Sequence, residues 1–124
     1  DTDFIGYGWE DLELGYRLSL AKLPLKYLPS AINYHYHVIS KEDEITRCIS
    51  KGKSAKRFYA KHPKLKWFLG LNPVSIFIFK TLKENGRMVN FAKRCFAKSE
   101  ATLAHRFGFW FLKEYYYLRG VLKL

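Results

Sequence analysis

The chain has 124 residues, 48% of them hydrophobic and 18% aromatic, and carries a formal net charge of +11. That length suffices for one domain with a real core. Two cysteines far apart, in no C-x-x-C or Cys/His cluster, argue against a structural zinc site. The most apolar uncharged run, the 13 residues 67–79, falls short of the roughly 18 to 20 apolar residues that cross a bilayer.

The opening, Asp1-Thr2-Asp3, already lies inside a patterned segment, as in a piece of a longer protein. Residues 1–8 read as a loop in which Gly6 and Gly8 bracket Tyr7 and permit backbone angles that other residues avoid. A helix is expected over 10–22, with Leu14 and Leu18 on one face and Glu13–Arg17 as an i, i+4 pair. Gly15 weakens such a helix, which implies a close approach to its backbone. Pro24 closes it.

Two short strands are expected next, over 25–29 and 31–38. Tyr34, Tyr36 and Val38 alternate with His35 and His37, which is period two. Ser40-Lys41-Glu42-Asp43 resembles a capping box and opens a helix that His62-Pro63 ends. Further helices are expected over 73–84, started by Pro73, over 87–97, and over 99–118 with Ser99 as N-cap. No internal repeat or low-complexity segment interrupts the pattern.

Charge divides the chain. Residues 1–50 hold 5 Lys/Arg against 8 Asp/Glu, a balance of −3, and residues 51–124 hold 17 against 3, a balance of +14. The basic part implies a negative neighbour: anionic lipid, nucleic acid or an acidic partner. The acidic part holds Glu10 and Asp11 side by side at a helix mouth. Helix capping is the common use of such acids; an ionised carboxylate there can also take a proton from an attacking hydroxyl. His35 and His37, on one side of a strand, could offer two ring nitrogens to a metal. Without a third ligand, spacing alone favours a pair of partly exposed histidines between tyrosines.

The order of phrases carries more than either motif. "FIGYGWEDLELGYRL", "LPSAINYHYH" and "SKEDEITRCISKGKSAKRFYAKHP" follow one another over residues 1–63. Together they resemble the C-terminal part of the catalytic domain of family 2 glycosyltransferases, inverting enzymes with the GT-A fold. The resemblance implies sugar transfer from a nucleotide-sugar donor to a hydroxyl of a glycan or lipid-linked acceptor. It implies Asp11 as general base, Glu10 as its neighbour in acceptor binding, and Trp9 lining the acceptor pocket. It implies a Mg²⁺ or Mn²⁺ ion held partly by His35, with His37 second. The chain departs from the family pattern at Asp1-Thr2, where Asp-Glu is common. The family's Asp-x-Asp motif and nucleotide-binding half lie upstream of these phrases, so this piece alone is expected to be inactive.

The expected fold class is α+β and mostly helical: a C-terminal fragment of a GT-A type α/β domain, with one short strand pair and about five helices. Residues 1–63 would form the acceptor side of the catalytic domain and residues 64–124 a basic aromatic helical tail. Bulky apolar residues between cations suit a membrane interface, so the expected location is cytoplasmic and peripheral on an anionic membrane. Ordinary core packing is the competing use of those aromatics. Nucleic acid is disfavoured, because no recognised module is present. From a different class, the alternative function is a non-catalytic basic helical module that docks on membrane or on a protein.

Overall fold

The longest helix starts where Ser40 can cap it. The Ser40 hydroxyl accepts a hydrogen bond from the Asp43 N–H at 3.0 Å and donates to the Asp43 carboxylate at 2.8 Å. The Ser40 N–H closes the expected box on that carboxylate at 3.4 Å. In this computed structural model, which describes residues 1–122, there are five α-helices: α1 (Glu10–Leu20), α2 (Lys41–Lys61), α3 (Pro73–Thr81), α4 (Arg87–Phe96) and α5 (Leu103–Leu122). A 3₁₀ turn, Pro63–Leu65, follows α2.

Helix boundaries follow local chemistry. Lys22 adopts a left-handed φ of 56° after α1. The Leu23 N–H then reaches the Leu18 carbonyl at 3.1 Å and the Lys22 N–H the Ser19 carbonyl at 3.0 Å. This is a Schellman closure, made before Pro24 is reached. Asn72 caps α3 by accepting from the Val74 N–H at 2.9 Å, with Pro73 in the first turn. For α5 the cap is Thr102, not the expected Ser99. The Thr102 hydroxyl oxygen accepts from the His105 N–H at 3.1 Å, and the Ser99 carbonyl accepts from the Thr102 hydroxyl at 2.8 Å. Both are hydroxyl residues that can cap, and the extra turn over 99–102 decides between them.

Helices α2 and α5 form the spine and touch backbone to backbone. A Cβ on Gly52 would fall 2.0 Å from the Tyr117 carbonyl oxygen, and one on Gly120 would fall 2.2 Å from the Ile49 carbonyl oxygen. Around this contact, one core cluster joins Cys48 of α2 to Val89 and Ala92 of α4 and Phe111, Leu112 and Tyr115 of α5. A second joins Ala55 and Phe58 of α2 to Leu69 and Leu71. Full burial of each of the larger ones, such as Phe58, Leu69 and Val89, contributes roughly 1.5–3 kcal/mol. Both clusters contain residues from either side of position 63, so the core does not divide there.

The expected strand pair is absent. Among the described residues there is no strand, and the class is all-α. The expectation of an α+β fold, as a fragment of a GT-A domain with a strand pair over 25–29 and 31–38, is thereby corrected. Pro24 and Pro29 withhold two N–H donors from any ladder. The Ala31 N–H turns back to the Leu28 carbonyl at 3.0 Å. A lone two-stranded ribbon is marginal in water, and no described element offers a third strand. Period two is present in the side chains, but the backbone has nothing to pair with. Tyr27, Tyr34 and Tyr36 are each at least 90% exposed.

Candidate active site at the mouth of α1

The loop over residues 1–8 lies on the flank of α2. Gly6 and Gly8 both take φ 104°, a conformation that side chains resist. There is also no room for a side chain: a Cβ on Gly6 would fall 2.8 Å from the Ser50 hydroxyl, and one on Gly8 would fall 2.5 Å from Lys51 Cγ. The Tyr7 N–H donates to that hydroxyl at 2.8 Å, and Arg57 donates to the Ile5 carbonyl at 3.1 Å. The Tyr7 ring sits under the Arg47 guanidinium at 4.7 Å. Lys61 pairs with both Asp1 and Asp3. The Lys61 hydrogen bond and charge hold the Asp3 carboxyl below its ordinary value.

Trp9 then turns the chain into α1. It is the N-cap, with a left-handed φ of 73° and no side-chain cap. For a bulky residue such a conformation costs about 1–3 kcal/mol and persists only where surroundings enforce it. The enforcement comes from packing. The indole sits edge-on between Phe58, at 6.3 Å, and Phe68, at 5.9 Å. The turn delivers Glu10 and Asp11 as the first two residues of α1, where free N–H groups and the helix dipole favour carboxylates. Asp11 is exposed, and among the described residues no hydrogen bond or ion pair engages its carboxylate. Glu10 is half-buried, and its Oε2 is enclosed with no partner among them, a demand that a bound hydroxyl or water can meet.

α1 docks by a stripe that its leucines do not reveal. Trp9, Glu13 and Tyr16 share the face on α2, while Leu12, Leu14 and Leu20 stay exposed. Tyr16 packs edge-on against His62 at 4.9 Å. Glu13 is 1% exposed and is met by Arg17, with Nε 2.9 Å from Oε1 and 3.0 Å from Oε2, and by His62 at 3.2 Å. Burial pushes its carboxyl up, but the His62 and Arg17 hydrogen bonds outweigh burial and hold it below the ordinary value. Gly15 approaches nothing: no atom lies within 4 Å of where its Cβ would be. The close contact expected there is not made.

Three clefts of similar size, about 310, 340 and 350 Å³, mark the surface, so volume alone selects none. Of these three, the 340 Å³ cleft is the one walled by Trp9, together with Lys51, Phe68, Lys113, Glu114 and Tyr117. Its size suits a small ligand. Burial pushes the Glu114 carboxyl up, opposed by Lys113, and burial pushes the Tyr117 phenol up as well. Reading along the sequence misses Lys113, Glu114 and Tyr117, because nothing local connects α5 with Trp9. Their one signal is the Gly52 and Gly120 pair that brings the two helices together.

No protein-family model matches the chain, and neither a curated protein nor a solved structure gives a significant match.

The two histidines stand apart from this mouth, in the irregular stretch before α2. Their rings are 5.5 Å apart, and His37 Nε2 abuts the Arg47 guanidinium. That cation would repel a metal ion at the same nitrogen. Among the described residues no three His, Cys, Asp or Glu side chains gather closely enough to hold a metal ion. The Mg²⁺ or Mn²⁺ site expected at His35 and His37 would be completed by residues upstream of the three family phrases, and His35 and His37 supply two ring nitrogens toward it.

Proposed function

We propose that this chain supplies the acceptor side of an inverting glycosyltransferase that uses a nucleotide-sugar donor, with Asp11 as general base. One observation carries the reading: a strained, packing-enforced Trp9, which walls a cleft that neither Glu10 nor Asp11 lines, presents an exposed, unpaired Asp11 at a helix N-terminus. Capping does not need that strain, since α2 is capped by Ser40 without any. In the proposed step, Asp11 takes the proton of the acceptor hydroxyl. The hydroxyl oxygen forms a bond to the anomeric carbon as the bond from that carbon to the diphosphate breaks. The nucleoside diphosphate leaves with the electron pair, and the configuration inverts. Glu10 orients the acceptor, and the Trp9 face receives sugar C–H groups. No step is drawn through a divalent ion.

The test is Asp11→Asn in the full-length gene product, with release of nucleoside diphosphate as the readout. Turnover should fall by roughly 10²- to 10⁴-fold, the usual scale for a general base, with donor binding retained. Turnover within a few-fold of the parent would overturn the assignment.

The same reading places the protein at the cytoplasmic face of a membrane, held peripherally. Among the described residues no helix is long and apolar enough to cross one. Cys48 and Cys95 are buried free thiols, in keeping with a reducing compartment. Should the full-length gene product release no nucleoside diphosphate from any nucleotide-sugar, the membrane part of the reading would stand alone, as a non-catalytic docking module.

A further inference from the structure

Arg87 and Arg94 lie two turns apart on α4 and flank the cleft of about 350 Å³, whose remaining walls are Asn90 and Phe91. Among the described residues neither guanidinium meets a carboxylate or any other hydrogen-bond partner. Arg87 occupies the first position of a helix whose N-cap, Gly86, supplies no side chain and whose first turn holds no acid. A cation there adds to the positive end of the helix dipole, and a bound anion would answer both. Asn90 gives one amide hydrogen to the Asn85 carbonyl at 3.0 Å and keeps the other free for a ligand.

The cleft opens on an apolar surface. Met88 and Phe91 on α4 are 56% and 58% exposed, and Leu103, Phe107 and Trp110 on α5 are 80%, 43% and 62% exposed. The two stripes are continuous, because the Phe91 and Phe107 rings lie 6.3 Å apart. Large apolar side chains this bare, beside unpaired cations, ask for a partner that is apolar within and anionic at its surface.

We propose that this α4–α5 face docks on an anionic phospholipid bilayer, with Arg87 and Arg94 closing on a headgroup phosphate and Phe91, Leu103 and Trp110 entering the acyl boundary. The inference rests on the peripheral-membrane part of the reading above and not on glycosyl transfer. Charge complementarity favours phosphate, and the planar guanidinium fork suits its oxygens in pairs. The aliphatic members, Met88 and Leu103, favour lipid over the stacked bases of a nucleic acid.

The experiment is co-sedimentation of the full chain with vesicles of phosphatidylcholine alone, or mixed with phosphatidylglycerol, at low and high salt. Binding should need the anionic lipid and weaken with salt, since the Debye length falls from ~10 Å at 0.1 M to ~3 Å at 1 M. The double variant R87Q/R94Q should lower the partition coefficient about thirtyfold, two cations' worth at a membrane surface. R87K/R94K should recover only part of that loss. Leu103→Ser and Trp110→Ser should remove the salt-resistant remainder. All these positions are exposed, and unchanged far-ultraviolet circular dichroism would confirm that the variants fold. If the parent binds anionic vesicles and R87Q/R94Q binds equally well, the arginine site is wrong while the membrane reading survives. If the parent ignores both vesicle types, both fall. Saturable binding of inorganic phosphate or single-stranded nucleic acid through these arginines, without binding to anionic vesicles, would overturn the lipid assignment.

Discussion

Residues 1–20 and residues 25–39 are neighbours in sequence, and the second is the richer in apolar side chains, yet the first is docked on α2 and the second lies open. The docked stretch has two glycines at φ 104° that let its backbone reach Ser50 and Lys51, and a buried Glu13 tied to Arg17 and His62. The open stretch follows Pro24, contains Pro29 and has no residue that is even half-buried. The difference teaches that apolar content does not by itself dock a segment. Backbone donors must find acceptors and the chain must be able to approach its partner, and only the first stretch meets both conditions.

The sharpest way to break this contrast is Glu13→Ala, which should free α1 and make it resemble 25–39. Removing one member of a fully buried ion pair costs about 3–5 kcal/mol; here roughly 2–3 kcal/mol is expected, because Arg17 can reach solvent. Urea unfolding would measure it, and amide exchange in α1 should rise to the level of 25–39. The effect depends on pH. The folded Glu13 carboxyl lies below its ordinary value of 4.5, so on acidification the unfolded chain binds this proton first. The stabilisation is complete above pH 4.5 and drains away as pH falls through the lower folded value. The stability gap between the parent and Glu13→Gln should therefore narrow between neutral pH and about pH 3.5.

A smaller break is Gly8→Ala. Its left-handed backbone, with Lys51 in the way, should cost about 1–3 kcal/mol; chemical denaturation should show a lowered midpoint at unchanged slope. Ser40→Ala removes the box that starts α2 on the far side of the open stretch and should cost about 1 kcal/mol, read as a drop in melting temperature. Tyr36→Ala sharpens the contrast from the other side. A side chain 91% exposed should change stability by less than about 0.5 kcal/mol. A loss of 2 kcal/mol or more would mean that the open stretch is packed after all.

Helix positions were largely legible, because caps are local. Ser40, Asn72 with Pro73, and Asn85-Gly86 mark starts within a residue or two of where α2, α3 and α4 begin. Ser99 misled because Thr102 has the same chemistry one turn later. The α1 face misled for a different reason. Leu14 and Leu18 satisfy helical spacing, but a glutamate held by Arg17 and His62 outcompetes them for burial. For the candidate site, Trp9, Glu10 and Asp11 could be found from a contiguous phrase. His35 and His37 were read from an alternation that had no sheet to sit in.

What the sequence alone determined is what short-range chemistry decides: five helices, the glycine-bracketed loop, the adjacent acids at a helix mouth, and the split of charge between the two halves. The tertiary structure decided what depends on distant partners. It left 25–39 unpaired, because a ladder needs a neighbouring strand. It buried Glu13 instead of the leucines, because His62 arrives from the end of α2. It carried Lys113, Glu114 and Tyr117 to Trp9 and set the stripes of α4 and α5 side by side, because Gly52 and Gly120 let two backbones meet across some 70 residues of chain.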